Sequence, residues 1–313
     1  MNVCLFGASG MVGAGTLLEC LDDPRVASVL VVGRTPCGVK HPKVTEVLHR
    51  GFTDFTALTE RFRPIDACFF CLGVSSAGMR EAAYSAITYD VTIAAARALR
   101  NEDVCFVGIG QPSAAANLAR LTHAPDITLI YESGTLSTKP NVLPLSIGDP
   151  ELCETALTTV SVPEMFRYWL QGGRITVGFL GGAQIDRFAN LNTTVVGPYD
   201  KPKVRLPGGG GAPEIATSCG EIFIIMAQSK RAFAPKLDFI TSLGHGEGGN
   251  TREKLGLKTK GPTKLITDMA IFAPDPETKE MTIVSIHPGV TREQIGENTG
   301  WPVRYAAKVD ETP

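Results

Sequence analysis

The chain opens on an apolar run, "NVCLFG" (2–7), which gives way at a glycine turn to helically spaced apolar residues over 11–22. The alternation then repeats. Strands are expected at "SVLVVGR" (28–34), "VTEVLH" (44–49) and "DACFFCLG" (66–73), and helices at about 54–62 and 80–100. The pattern resumes at "VCFVGIG" (104–110), with strands near 127–131, 174–180, 221–226 and 265–272. Short β-branched runs separated by helix-length segments predict an α/β fold, with a mostly parallel sheet flanked by helices. Later connections are glycine loops: "GGAQID" (181–186), "PGGGGAPEIAT" (207–217) and "GHGEGGN" (244–250). No solenoid-length repeat, low-complexity segment or polar linker divides the chain.

One strand ends in an unexpected way. In "ITLIYESGTLS" (127–137) a β-branched run terminates on Glu132, followed at once by Ser133 and Gly134. A buried strand has no use for a carboxylate, whereas open α/β sheets present ligand sites at the carboxyl ends of their strands. Taken alone, the feature also fits a solvated edge residue.

Composition narrows the picture. At 313 residues, 43% hydrophobic and 20% charged, the chain can bury one large α/β core or two smaller ones. A net charge of −2 without a Lys/Arg stripe makes nucleic acid and anionic membranes unexpected partners. No run approaches membrane-spanning length, and no basic leader precedes the first strand, so no secretory signal is expected. The eight cysteines are scattered and fit reduced thiols and a cytoplasmic setting. The CxxC at Cys68 and Cys71 reads as buried strand, since no second CxxC and no nearby His supports a metal or redox pair. His245 and His287 lack ligand-spaced companions and read as loop residues. Asp186 reads as a structural residue of its loop.

"GASGMVG" places Gly7, Gly10 and Gly13 directly after a strand and at the opening of a helix. Small residues there permit a tight turn and let backbone N–H groups approach a pyrophosphate at the helix N-terminus. The second strand ends on Gly33-Arg34, where an arginine suits a ribose 2′-phosphate, so NADP is the expected nucleotide. With "VVGR", "FTDF", "DACFFCLGVSSAGM" and "YSAITYD", residues 1 to about 90 resemble the start of atypical short-chain dehydrogenase/reductases, implying a partial Rossmann fold over residues 1–88. That family transfers protons with a Tyr and a Lys four residues apart on one helix. The only such spacing here, Tyr199 to Lys203, carries Pro202 and reads as a loop.

From about residue 85 onward the chain resembles the beta subunit of family I CoA-transferases of the glutaconate and 3-oxoacid type. The resemblance is carried by "VGIGQPSAAANLARLTHAPD", "LIYESG", "LPLSIGD", "FLGGAQIDRFANLNTT", "PGGGGAPEIAT" and "KRAFAPKLDFIT", and continues through "REKLGLKTKGPTKLITDMAIF" and "IHPGVTREQIGENTG". It implies an open α/β CoA-transferase domain over residues 89–313. It further implies that Glu132 is a nucleophile carrying CoA as a glutamyl thioester, and that the backbone N–H groups of Gly182 and Ala183 stabilise oxyanions. The alternative for that loop is a plain glycine turn.

Ser133, Gly134, Gly181 and Gln184 are expected to contact substrate. Gly208, Gly209, Gly210 and Gly211 either line the acyl or pantetheine pocket by close backbone approach or form a flexible loop. Coenzyme A and a small carboxylic acid would be substrates, no cofactor would be required for transfer, and a separate alpha subunit would complete the site. Beta subunits of this type usually begin near "VTIAAARALRNED" and continue beyond "AAKVDETP", so the chain reads as a fusion or a truncation. Three other readings stay open: an NADP-dependent oxidoreductase, a nucleotide-sensing module attached to a transferase subunit, and an acyl-CoA hydrolase on the same fold. At the seam, "VCFVGIG" can join either the N-terminal strands or the transferase sheet.

Overall fold

The computed structural model describes residues 1–9, 11–49, 56–70 and 85–312. The chain forms two compact units, Met1–Arg80 and Glu81–Pro313. In the first, β1 (Asn2–Phe6), β2 (Ser28–Gly33), β3 (Val44–Leu48) and β4 (Ala67–Phe70) make a parallel sheet in the order β3-β2-β1-β4. Alternate residues of β1 and β2 point to opposite faces. Val3, Leu5, Val29 and Val31 pack with Leu17 on one side, while Cys4, Phe6, Leu30 and Val32 pack with Leu58 on the other. Gly7 turns the chain at φ +81°, and a Cβ on Gly13 would strike the Gly7 carbonyl, so two of the three motif glycines are required by local geometry. Gly10 lies outside the described residues.

The CxxC expectation is corrected in part. Cys68 is exposed and Phe69 is 43% exposed, because β4 is an edge strand among the described residues. Cys71 lies outside them.

The second unit is built on ten strands. β5 (Val104–Val107), β6 (Thr128–Tyr131), β7 (Thr135–Leu136), β8 (Thr158–Thr159) and β9 (Val177–Leu180) come first in the chain. Two small hairpins follow, β10 (Gln184–Ile185) with β11 (Leu191–Asn192) and β12 (Val195–Val196) with β13 (Val204–Arg205). The sheet is completed by β14 (Glu221–Ile225), β15 (Pro262–Ile266), β16 (Ala270–Pro274), β17 (Met281–Ile286) and β18 (Arg304–Glu311). Its order is β18-β17-β16-β15-β14-β9-β5-β6-β7-β8, with β6, β5, β9, β14 and β15 mutually parallel. Of these, β5, β6, β9 and β14 are near-continuous apolar runs, as expected for strands covered on both faces.

Two ambiguities of the sequence are settled here. "VCFVGIG" contributes β5 to this sheet, between β9 and β6. The single strand expected over 265–272 is instead the antiparallel pair β15–β16. The chain reverses because Thr267 donates its N–H to the Ala270 carbonyl at 3.0 Å, while its hydroxyl accepts from Met269 and Ala270 N–H at 3.1 and 2.9 Å. Such a Thr-centred turn competes with strand continuation. Among the described residues no helix is long and apolar enough to cross a membrane.

Candidate active site

β6 carries Leu129, Ile130 and Tyr131 fully buried, and the chain turns at once beyond it. Gly134 N–H donates to the Tyr131 carbonyl at 2.9 Å, which makes Glu132 and Ser133 the two central residues of a β-turn leading into antiparallel β7. Gly134 adopts φ +103°, and its carbonyl accepts from Val160 N–H at 2.9 Å. The carboxyl end of β6, next to Glu132, is anchored by a contact that sequence reasoning missed. The Tyr131 hydroxyl lies 2.7 Å from Ser113 Oγ and 3.4 Å from Asn117 Nδ2, both on the helix Gln111–Leu121. Burial pushes the Tyr131 phenol upward, so it stays a neutral hydrogen-bonding group. Ser and Asn four residues apart on the preceding helix were the available signal, because that spacing puts them on one face.

Glu132 is half-buried and opens into a cleft of about 480 Å³ at the carboxyl ends of β5, β6, β9 and β14. Gly181, directly after β9, and all four glycines Gly208–Gly211 line the same cleft, with Phe106, Phe179 and Ile147 among its apolar walls. The glycine loop is held in place: Gly208 N–H donates to the Thr193 carbonyl at 2.8 Å, and Ala212 N–H to the Gly209 carbonyl at 2.9 Å. Gly208 and Gly210 have φ +100° and +48°, which turns their backbone in a way side chains disfavour. Among the described residues no Lys or Arg lies within ion-pairing distance of Glu132, and the lining contains none. A carboxylate free of a counter-cation in an apolar, glycine-walled cleft keeps its electron pair for attack on a carbonyl.

The cleft does not gather every candidate. Ala183 N–H donates to the Asn192 carbonyl at 3.0 Å as part of the β10–β11 hairpin. That amide is therefore engaged by the hairpin in this structure rather than free to face an oxyanion. The Gly182 amide meets no backbone acceptor among the described residues. Gln184 also serves the hairpin, accepting from Asn192 Nδ2 at 2.6 Å and donating to Asp238 at 3.1 Å, and it does not line the cleft. Ser133 Oγ is buried without a partner among the described residues.

Asp186 holds its own loop through Phe188 N–H, Asn190 N–H and Asn190 Nδ2 at 2.8–3.0 Å. His245 and His287 are buried and donate from Nε2 to the carbonyls of Pro262 and Thr267, both at 2.8 Å. Among the described residues no group of three His, Cys, Asp or Glu is placed to hold a metal. Tyr199 and Lys203 lie in the β12–β13 connection, as the proline predicts, with Tyr199 stacked on Phe239.

Close packing against the carboxylate yields a sharp expectation. A Cβ on Gly211 would stand 2.7 Å from Glu132 Oε1 and 2.6 Å from Phe166 Cζ, although its backbone (φ −83°, ψ −4°) accepts any residue. Gly211→Ala is expected to fold normally yet lose about 10²-fold in kcat, since displacement of a reacting group by an ångström has that cost. Wild-type kcat in this variant would show that the carboxylate does not work from the observed position.

The span from residue 88 to residue 298 matches the family model described as Coenzyme A transferase. The B-type subunit of 3-oxoadipate CoA-transferase from Pseudomonas knackmussii is 65% identical over 222 residues, covering 71% of this chain and 85% of the relative. The B-type subunit of glutaconate CoA-transferase from Acidaminococcus fermentans is 37% identical over 226 residues, covering 70% and 84%. The crystal structure of glutaconate coenzyme A-transferase from that organism superposes with a TM-score of 0.67 at 33% identity, covering 72% of this chain and 88% of that one. The family match starts beyond Gly7, Gly10, Gly13 and Arg34, so the nucleotide-binding expectation for the N-terminal unit draws no support from it. The cleft around Glu132 lies wholly inside the matched span, and the chain belongs to the coenzyme A transferase family.

Proposed function

We propose that this chain is the beta-type half of a CoA-transferase that moves CoA between an acyl-CoA and a small dicarboxylic acid of the 3-oxoadipate class, with Glu132 as the nucleophile. The observation that carries the reading is the placement of Glu132 in one cleft with Gly181 and Gly208–Gly211. The substrate class rests on the 65% identity to the Pseudomonas protein.

The Glu132 carboxylate attacks the thioester carbonyl, the C–S bond breaks and CoA leaves as a thiolate, giving an acyl-glutamyl anhydride. The thiolate then adds to the glutamyl carbonyl and expels the first acid, leaving CoA on Glu132 as a thioester. The second acid reverses both steps. A carboxylate is a weak nucleophile, so holding it against the bound thioester matters most, and effective molarities on the order of 10⁵ M or more are available to well-oriented pairs. Both additions place negative charge on an oxygen that needs N–H donors, and the Gly181–Gly182 segment beside the cleft is the candidate.

An alpha-type partner is part of this proposal, since both relatives are B-type subunits of larger enzymes. In the segment that reaches the cleft at Ile147, Leu143 and Leu145 are 52% and 89% exposed, and Ile147, at 42%, is part of the lining. A row of exposed large apolar residues leading into a site marks a surface that another protein covers. Leu145→Asp should therefore weaken co-elution with the alpha partner at least tenfold while leaving the melting temperature of the isolated chain unchanged; undiminished co-elution would place the partner elsewhere.

The direct test is mass spectrometry of the two-subunit enzyme after incubation with acyl-CoA. A CoA adduct on the peptide containing Glu132, removed by hydroxylamine, is the expected result. Its absence from an active complex would overturn the assignment of the nucleophile.

A further inference from the structure

At the other end of the same sheet lies a second cavity, of about 780 Å³, that the transfer chemistry does not use. Its walls include Lys260, which precedes β15, and Thr263, the second residue of that strand. His245 in the wall bonds the carbonyl of Pro262, the first residue of β15. β15 runs parallel to β14, β9, β5 and β6, so this cavity sits at the amino ends of the strands and Glu132 at their carboxyl ends.

Its charge is one-sided. Arg252, Lys258, Lys260 and Lys279 line it against a single carboxylate, Glu253. Arg252 is 6% exposed, yet no carboxylate among the described residues pairs with it. Its guanidinium is held by neutral oxygens instead: Gly244 and Ala216 carbonyls at 2.8 and 3.2 Å, and the Thr259 carbonyl and hydroxyl at 3.3 and 2.7 Å. These four bonds leave one of its five N–H groups, on Nη1, without an acceptor.

A buried cation without a counter-ion is costly, and an anion supplied from solution relieves it. Lys258 makes no ion pair among the described residues, and Lys260 reaches only Glu221, at 3.9 Å, a carboxylate already engaged by Arg100 and Thr263. His245 is held down at about 4, mainly by burial, with the charges of Arg252 and Lys279 adding to the effect. It is therefore neutral near pH 7 and adds no charge of its own to the cavity.

We infer that this cavity binds a small phosphate-bearing molecule, with Arg252 as the buried anchor and Lys258 and Lys279 closing on the phosphates. The lysines favour phosphate because ammonium groups act as point charges that need no bidentate geometry. The volume exceeds what inorganic phosphate fills and falls in the range of nucleotide-sized ligands. The inference goes beyond the CoA-transfer reading and does not depend on it.

The test is calorimetric titration of the full-length chain with inorganic pyrophosphate, and separately with ATP, at low salt. Saturable binding is expected, weakening as salt rises. Lys258→Glu/Lys279→Glu should bind at least about tenfold more weakly, because two attractive charges become repulsive. Lys201→Glu, in the remote β12–β13 connection, and Glu132→Gln, in the cleft, should both bind as the wild type does. Should the double variant fold poorly, Lys258→Glu alone decides, since that side chain is exposed. Tighter binding of ATP than of pyrophosphate identifies a nucleotide, and equal binding identifies the phosphates alone. Absence of saturable binding, equal binding by the double variant, or equal weakening by Lys201→Glu would overturn the inference.

Discussion

Glu132→Gln is expected to lower the rate of CoA transfer by about 10⁴-fold or more, because an amide of the same shape supplies no anionic nucleophile and forms no anhydride. The fold should be indifferent to the change. Glu132 makes no ion pair among the described residues, and its neighbours in the cleft are glycine backbone and apolar side chains, so no buried charge is orphaned. Steady-state rates and thermal unfolding, measured on the same preparation with the alpha partner present, separate the two effects. Glu132→Asp is the informative companion. It keeps the charge but withdraws it by one methylene, and should recover only a small part of the rate, since a shortfall of about an ångström at a reacting group costs about 10²-fold. If Glu132→Gln turned over at a rate near that of the wild type, the covalent route through this residue would be wrong.

Gly134→Ala should be the most damaging single-methyl change near the site. At φ +103° an L-residue is strained, and the added Cβ would collide with the Val160 carbonyl oxygen. Neither partner can yield alone. Val160 N–H bonds the Gly134 carbonyl, and the adjoining β7–β8 pairing runs Thr135 against Thr159. Relief requires the turn that carries Glu132 to move. A loss of about 2–4 kcal/mol is expected from the combination of backbone strain and a steric clash with main chain, together with loss of transfer activity even in the fraction that remains folded. Chemical denaturation and a single-turnover assay measure the two parts. An alanine variant of unchanged stability would mean that the turn adopts another conformation.

Gly134→Ala and Gly211→Ala differ instructively. The first adds a methyl where the backbone itself forbids it and should act on stability and activity together. The second adds one where the backbone allows it and only side chains, Glu132 and the Phe166 ring, must yield, so it should act more on activity than on stability.

How far the site was legible varies from residue to residue. Glu132 stood out because a carboxylate ending a β-branched run contradicts burial, and the resemblance to collinear family motifs then implied a nucleophile's role for it. The glycines of 208–211 were identified, but their choice between a pocket wall and a flexible loop depended on the Gly208–Thr193 and Ala212–Gly209 hydrogen bonds. Ala183 was assigned a free amide that the β10–β11 hairpin engages. Tyr131 looked like one more strand residue until its hydroxyl met Ser113 and Asn117.

What the sequence determined by itself is whatever is written in local pattern: the apolar runs that become parallel strands, the glycine turns, the proline that bars a catalytic helix at Tyr199–Lys203, and the carboxylate at the end of β6. These follow from side-chain periodicity and backbone sterics over a few residues. What only the tertiary structure decided is which strands β5 joins, where the chain reverses between β15 and β16, which amides are engaged, and that Arg252, Lys258, Lys260 and Lys279 face one cavity at the far end of the sheet from Glu132. Each of these depends on partners brought together by sheet order and register, and register is a property of packed faces that no local spacing encodes.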